Sequence, residues 1–317
     1  MKSGYFISMD WGTSNLRIRL VQVATLHVLE EVTSSKGIKT IYNEWLVSGC
    51  DKEAFYLSFL KEEISTFKTQ INVETLVVMS GMGSSSIGLR ELPYAELPFH
   101  ADGKSLYVET IENAGFPYKI QLISGVKSDT DVIRGEEVEM IGLIEEDDAL
   151  KKTIFITPGT HSKHIICDNK KIIDFHTFMT GEMFSIIANH SILNGSIEKT
   201  DISTKTLQAF SEGIIDASKE NSVLNTIFIV RTNALFGKKS KEENYYYLSG
   251  LLIGEELQTL KNSQSDAIKL CAGGALFELY HKAIEVLGLL PKTTIIPKEI
   301  VDAAVVKGQW HIIKNRL

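Results

Sequence analysis

Twice in its 317 residues this chain runs an apolar strand into a short turn of small polar residues and straight back into a second strand. The first turn, Asp10-Trp11-Gly12-Thr13-Ser14-Asn15, joins 5–9 to 16–23; the second, Thr157-Pro158-Gly159-Thr160-His161-Ser162-Lys163, joins 153–157 to 163–167. Connections this tight leave no room for a crossover, so both pairs are antiparallel hairpins. Each half of the chain therefore opens on a hairpin, and the rest of each half has to build around it.

The remaining pattern alternates between strand and helix. A third apolar run covers 26–32, and Asp51 caps a helix whose broad face carries Phe55, Phe59 and Ile64. A buried strand at 76–79 meets a glycine- and serine-rich loop, 80–88, and a strand at 120–123 leads into a helix expected from about Asp131 to 144. In the second half, Asn169-Lys170 turns the chain into a strand at 172–178. Most of 180–262 reads as helix, with 245–260 the clearest amphipathic stretch. A strand at 268–271 then meets Ala272-Gly273-Gly274 and a helix to about 287. Strands alternating with helices place the chain in the α/β class. No Pro-, Gly- or Ser-rich linker divides the halves, so the pattern alone sets the domains at 1–145 and 146–317.

Composition narrows the function. Lys plus Arg is 33 against 40 Asp plus Glu, a net charge of −7, which argues against duplex nucleic acid as a partner. The leading stretch MKSGYFISMDWGTSNLRIRL has no unbroken apolar run, and nothing approaches a membrane span. Three widely spaced cysteines without a CxxC read as thiols of a reducing compartment. A cytoplasmic protein acting on small molecules is expected.

Four segments carry chemistry. In the first turn Gly12 permits a sharp bend, and Thr13, Ser14 and Asn15 can donate to anionic oxygens. Asp10, at a strand end, suits a hydrated Mg2+; a polar hairpin with an Asp cap is the plainer alternative. The second turn repeats the hydroxyl-rich pattern with Lys163 as a cation, so that two loops could hold one polyphosphate. The third segment, SGVKSDTDVIRGEE at 124–137, sets acidic residues at a strand end. Asp131 is either a helix N-cap or, with Asp129 as the alternative, a general base; Arg134 and Glu137 stand i, i+3 as a helix pair. Gly273 and Gly274 leave room for a flat base or simply allow close strand–helix packing. His161, His164 and His176 do not make a zinc site: on a strand, i and i+3 point to opposite faces. The triplet Tyr245-Tyr246-Tyr247 reads as core and interface packing rather than a base-stacking platform.

Taken in order, these segments resemble the actin/hexokinase/Hsp70 superfamily, and within it the 2-dehydro-3-deoxygalactonokinase family. The resemblance rests on MDWGTSNLR at 9–17, SGMGSS at 80–85, DVIRGEE at 131–137, TPGTHSKHI at 157–165, MTGE at 179–182, HSIL at 190–193 and YLSGLLIGEE at 247–256. It covers nearly the whole chain, and the combination of RGEE, PGTHSK and MTGE makes it specific. It implies two ribonuclease-H-like domains facing a central nucleotide cleft. It also implies an ATP- and Mg2+-dependent kinase that phosphorylates the C6 hydroxyl of 2-dehydro-3-deoxy-D-galactonate.

Carried over by position, Asp10 would organise Mg2+, with Gly12, Thr13, Ser14 and Asn15 on the phosphates from one half and Gly159, Thr160 and His161 from the other. Gly273 and Gly274 would lie under adenosine. Asp131, or failing it Asp129, would be the base. Gly81, Met82, Gly83 and Ser84 would line the sugar, whose carboxylate would meet Arg134 or Lys163. The small-molecule acid sugar and ATP would be the partners, without nucleic acid or membrane, and a homodimer stays open as the assembly. The competing readings are a kinase for another acid sugar, a sugar-sensing regulator and a phosphohydrolase on the same scaffold.

Overall fold

The computed structural model describes residues 4–144, 151–219, 222–314 and 316. Its chain divides into two compact units: Met1–Glu146 with Lys170–Asp174 and Glu299–Leu317, and Asp147–Asn169 with Phe175–Lys298. The seam expected at 145/146 lies outside the described residues.

The first unit begins with β1 (Tyr5–Trp11), β2 (Leu16–Gln22), β3 (Val28–Ser34), α1 (Ile38–Leu46), α2 (Lys52–Ser65) and β4 (Leu76–Gly81). It continues with β5 (Ala95–Glu96), β6 (Phe99–His100), β7 (Val108–Asn113), β8 (Phe116–Ile123), β9 (Val126–Lys127), β10 (Val132–Ile133) and α3 (Glu136–Leu143). The second contains β11 (Thr153–Thr157), β12 (Ser162–Asp168), the end of β13 (Lys171–Phe178, of which 171–174 group with the first unit), α4 (Thr180–His190), α5 (Thr204–Ala217) and α6 (Val223–Leu235). After these come α7 (Lys241–Gln258), β14 (Ala267–Leu270), α8 (Gly274–Val286) and β15 (Thr293–Ile295), and the chain finishes in α9 (Lys298–Lys314).

The main sheets of both units share one plan. In the first the strand order is β3-β2-β1-β4-β8-β7, with β1–β2 and β2–β3 antiparallel and β1–β4 and β4–β8 parallel. In the second, strands run β13-β12-β11-β14-β15, with β11–β12 antiparallel and β11–β14 and β14–β15 parallel. A three-stranded meander extended by two parallel strands is the ribonuclease-H-like plan, and it occurs here twice. β4 is buried at every position, as a parallel strand covered on both faces must be. Asp51 caps α2, its Oδ1 accepting from the Ala54 amide at 2.9 Å. Ile7, Met9, Val77 and Leu122 of the sheet pack against Tyr56 and Leu60 of α2 in the first core. Among the described residues no helix is long and apolar enough to cross a membrane.

Three expectations need correction. The first is the helix from Asp131: residues 126–127 and 132–133 pair as a short antiparallel ladder, and α3 starts only at Glu136. Its N-cap is Gly135, whose φ of +114° is open to glycine and strained for other residues, so Asp131 sits in a turn rather than at a helix end. Arg134 therefore lies outside the helix and is not the i, i+3 partner of Glu137.

The second concerns α7, which is buried on almost every side rather than amphipathic. A Cβ on Gly250 would lie 2.0 Å from the Phe210 carbonyl oxygen, and one on Gly213 would lie 2.3 Å from that of Tyr247. Missing side chains thus let the backbones of α5 and α7 touch.

The third is the chain's end: residues 299–317, placed by sequence in the second domain, group with the first. The contact is again glycine-mediated, since a Cβ on Gly142 of α3 would lie 1.9 Å from Ala304 O, and one on Gly308 would lie 1.9 Å from Val138 O. Trp310 stacks on Phe6 with centroids 5.7 Å apart. Buried Gln309 donates from Nε2 to Met9 O and Ser80 Oγ, both at 2.9 Å, clamping the ends of β1 and β4.

Candidate active site

In the first unit the functional segments gather at the ends of the parallel strands. Asp10 pairs with Arg17 of β2 and Ser80 of β4 in register. Burial raises its carboxyl above the usual range; the Arg17 and Arg19 charges oppose the rise and Glu136 adds to it. A half-buried carboxylate at a strand end, whose charge its surroundings disfavour even with Arg17 and Arg19 near, is a donor a divalent cation would stabilise, so the residue fits the Mg2+ expectation. Gly81 is required beside it: its φ is +85°, and a Cβ there would lie 2.6 Å from Trp11 O and 3.3 Å from Asp10 Oδ1. Gly135 comes equally close, a Cβ on it falling 3.3 Å from the Gly81 Cα. The SGMG and RGEE segments, more than fifty residues apart in sequence, thus meet at Asp10.

The first polar turn is closed by Gly12 N–H donating to Asn15 O at 2.8 Å. Its outer side is held by α1: the amides of Gly37, Ile38 and Lys39 donate to the carbonyls of Ser14, Gly12 and Thr13. A Cβ on Gly37 would lie 2.3 Å from the Thr13 carbonyl oxygen. Thr13, Ser14 and Asn15 remain exposed.

Arg134 is fixed by its surroundings. Its guanidinium lies 4.2 Å from the Tyr94 ring centroid, and Nη1 donates to Ser84 O and Oγ at 2.5 and 2.6 Å. Its Nε is buried and without a hydrogen-bond partner among the described residues. Glu136 and Glu137 bend back on the loop: Glu136 accepts from Arg134 N at 3.0 Å, and both Glu137 oxygens accept from Gly135 N, at 2.9 and 2.7 Å. Glu137 is completely buried, and burial together with the Glu136 charge pushes its carboxyl up to about 8. The turn ahead of them holds Asp131, half-buried, whose Oδ1 accepts from Val132 N at 2.7 Å; Asp129 is exposed.

In the second unit the PGTHS turn rests on the start of α4. A Cβ on Gly181 would lie 2.6 Å from Gly159 O, and the Glu182 amide donates to Thr160 O at 3.0 Å. Glu182 Oε2 lies 2.7 Å from His161 Nε2. Lys163, expected near the substrate, is buried and donates to the His161 carbonyl at 2.9 Å, bracing the turn from within. The Thr157 hydroxyl, at the foot of the turn, is buried with no partner among the described residues.

Beside the turn lies a mainly apolar cavity of about 230 Å³, lined by Gly159, Thr180, Phe184, Tyr245, Leu276 and Tyr280 among others. Tyr247 is a core residue, but Tyr245 and the largely buried Tyr246 line this cavity, Tyr245 edge-on to Phe184 at 5.0 Å. Gly273 caps α8, and Gly274, at φ +60°, has open space where a Cβ would stand. Sequence reasoning missed α1 with Gly37, the Tyr94 platform and the cavity. Tyr245 carried a signal, since it belonged to a noted aromatic triplet, and so did α1, where Ile38, Ile41, Tyr42 and Trp45 recur at helical spacing; the Tyr94 platform carried none.

Each unit thus gathers its own set of residues: Asp10, Gly81, Ser84 and Arg134 in the first, and Gly159, Thr160, His161 and Lys163 in the second. Comparison with known proteins gives the same order of segments a family. A family model described as 2-keto-3-deoxy-galactonokinase matches residues 10–312. The 2-dehydro-3-deoxygalactonokinase of Escherichia coli strain K12 is 29% identical over 318 residues, covering 98% of this chain and 99% of its own length. A proposed enzyme of the same name from Rhizobium meliloti strain 1021 is 28% identical over 298 residues, covering 90% of this chain and 91% of its own. A crystal structure from Sinorhizobium meliloti, described as a proposed 2-dehydro-3-deoxygalactonokinase, superposes with a TM-score of 0.82 at 25% identity over 98% of this chain and 96% of that one. The chain belongs to the 2-keto-3-deoxy-galactonokinase family.

Proposed function

We propose that this protein transfers the γ-phosphoryl group of ATP to the C6 hydroxyl of 2-dehydro-3-deoxy-D-galactonate, giving the 6-phosphate, as the phosphorylation step of galactonate catabolism in the cytoplasm. The observation that carries the acid-sugar reading is Arg134: it is pinned by Tyr94 and Ser84, and a buried Nε is left without an acceptor. A guanidinium so fixed recognises a carboxylate through parallel N–H donors, and a neutral sugar would leave that donor unpaired. Gly81, Met82, Gly83 and Ser84 line the sugar beside it. Lys163, bonded to the His161 carbonyl, shapes the phosphate turn.

Asp10 holds Mg2+, which when bound offsets the charge of the transferring phosphoryl group. Thr13, Ser14 and Asn15 in one unit, and Gly159, Thr160 and His161 in the other, supply hydroxyl and amide donors to the phosphates, with Gly12 allowing the first turn. Adenosine takes the cavity beside the second turn, with Gly273 and Gly274 at the head of the helix whose Leu276 lines it. Asp131 accepts the proton of the sugar hydroxyl; it is more enclosed than Asp129, the alternative base.

The test is a coupled ADP-release assay with Mg-ATP and 2-dehydro-3-deoxy-D-galactonate, the gluconate epimer, neutral hexoses, or no sugar. Turnover with the galactonate compound well above the rest is the expected result. Equal turnover with a neutral hexose, or ADP release independent of sugar, overturns the reading.

A further inference from the structure

Glu256, near the end of α7, is a carboxylate only 2% exposed. Its Oε1 accepts from Ser162 Oγ at 2.6 Å and lies 3.1 Å from His164 Nε2. Its Oε2 accepts from Thr180 Oγ1 at 2.5 Å and from the Tyr280 hydroxyl at 2.7 Å. A carboxylate offers about four acceptor directions, and here each has a partner. Burial alone would raise this carboxyl; the bonds from His164, Ser162 and Thr180 reverse that and hold it below the usual range.

The donors stand in chosen places. Ser162 opens β12 immediately after the Gly159–His161 turn, Thr180 is the first residue of α4, and Tyr280 belongs to α8. Thr180 and Tyr280 also line the cavity beside that turn. The first turn of α4 carries Gly181 and Glu182, which touch Gly159 and Thr160. One buried anion therefore ties the turn, the helix end beneath it and the cavity wall into a single satisfied network, which is rigid for that reason.

We infer that Glu256 is a positioning residue for the nucleotide: by bonding Ser162 and Thr180 at once it sets the geometry of the Gly159–His161 turn against α4 and the adjoining cavity. The inference rests on the proposed role of that turn in binding ATP phosphates. Glu256 touches no reacting atom and acts through the groups it holds.

The experiment is steady-state kinetics of E256Q and T160A in the full chain, varying ATP and acid sugar separately, with thermal unfolding as a control. The E256Q amide keeps the shape but turns an N–H2 toward two of the four donors. The expected result is a KM for ATP raised roughly tenfold or more, with the sugar KM within roughly twofold of the parent. A purely structural role would lower kcat with the folded fraction and move neither KM. An unchanged ATP KM in folded E256Q overturns the inference. If T160A then raises the ATP KM, the reading of the turn survives; if T160A also leaves it unchanged, both fall. Should E256Q not fold, S162A removes one donor to Glu256 from a buried residue outside the cavity lining and decides by the same KM comparison.

Discussion

Glu137 makes the stability of the first unit depend on pH in a direction that can be worked out. Its carboxyl stands at about 8 in the folded chain against an ordinary 4.5, because it is fully buried and Glu136 adds a second negative charge nearby. The folded state therefore keeps a proton that the unfolded chain releases. Stability is complete below pH 4.5 and is lost progressively as pH rises toward about 8. At about 1.4 kcal/mol per pH unit, that interval sets a ceiling of roughly 5 kcal/mol.

Replacing Glu137 with Gln keeps the side chain neutral at every pH. The new amide turns an N–H2 group toward the Gly135 amide donor in place of an acceptor oxygen, an offset of about 1–3 kcal/mol that does not vary with pH. The pH-dependent difference between the two proteins isolates Glu137 from Asp10, Glu136 and other groups common to both. Urea unfolding at pH 5, 6, 7 and 8 measures it. E137Q is expected to gain on the parent by up to about 1.4 kcal/mol for each pH unit, equivalent to roughly 3–6 °C in Tm for a unit of this size. Parallel curves for the two proteins would refute the reasoning, since they would mean that Glu137 folds with its ordinary affinity for protons.

Three further outcomes follow from named contacts. Arg134→Lys gives up the Tyr94 stacking and the forked donors, so the KM for the acid sugar should rise roughly 10- to 100-fold, with the ATP KM nearly unchanged in the same assay. Gly250→Ala drives a Cβ to 2.0 Å from Phe210 O, forcing α5 and α7 apart; urea titration should show a loss of roughly 1–3 kcal/mol. Asp131→Asn should lower kcat by about 100-fold or more with nucleotide binding retained; an active Asp131→Asn beside an inactive Asp129→Asn would move the base to Asp129.

Much of this molecule is written locally in its sequence. Both hairpins follow from apolar runs separated by residues too few for any other connection, and the repeated sheet plan grows from them. The Asp51 cap and the strands before 80–88 and 272–274 are equally local. What stayed hidden depends on contacts between distant segments. The run DVIRGEEVEM looks helical from Asp131, because a ladder of two residues per strand leaves no periodicity; what delays the helix is a left-handed glycine and a carboxylate folded back on its amide.

The same holds for α9, whose allegiance to the first unit is decided by Gly142 and Gly308 meeting backbone, and by Gln309 reaching Met9 and Ser80. The segment SGLLIG reads as part of an amphipathic helix, and only the fold shows that its glycines meet the backbone of α5. At the candidate site the motif residues were visible, while their division of labour was not. Arg134 and Lys163 looked alike as cations, yet one keeps an unsatisfied donor and the other is spent on the His161 carbonyl.

The central claim is phosphorylation of the acid sugar at its terminal hydroxyl, and phosphorus–proton correlation NMR of the product tests it most directly. With Mg-ATP and 2-dehydro-3-deoxy-D-galactonate, the account predicts a new phosphate monoester whose phosphorus couples to the two protons on C6. Coupling to a single ring or chain proton, or inorganic phosphate with the sugar left unmodified, would contradict it.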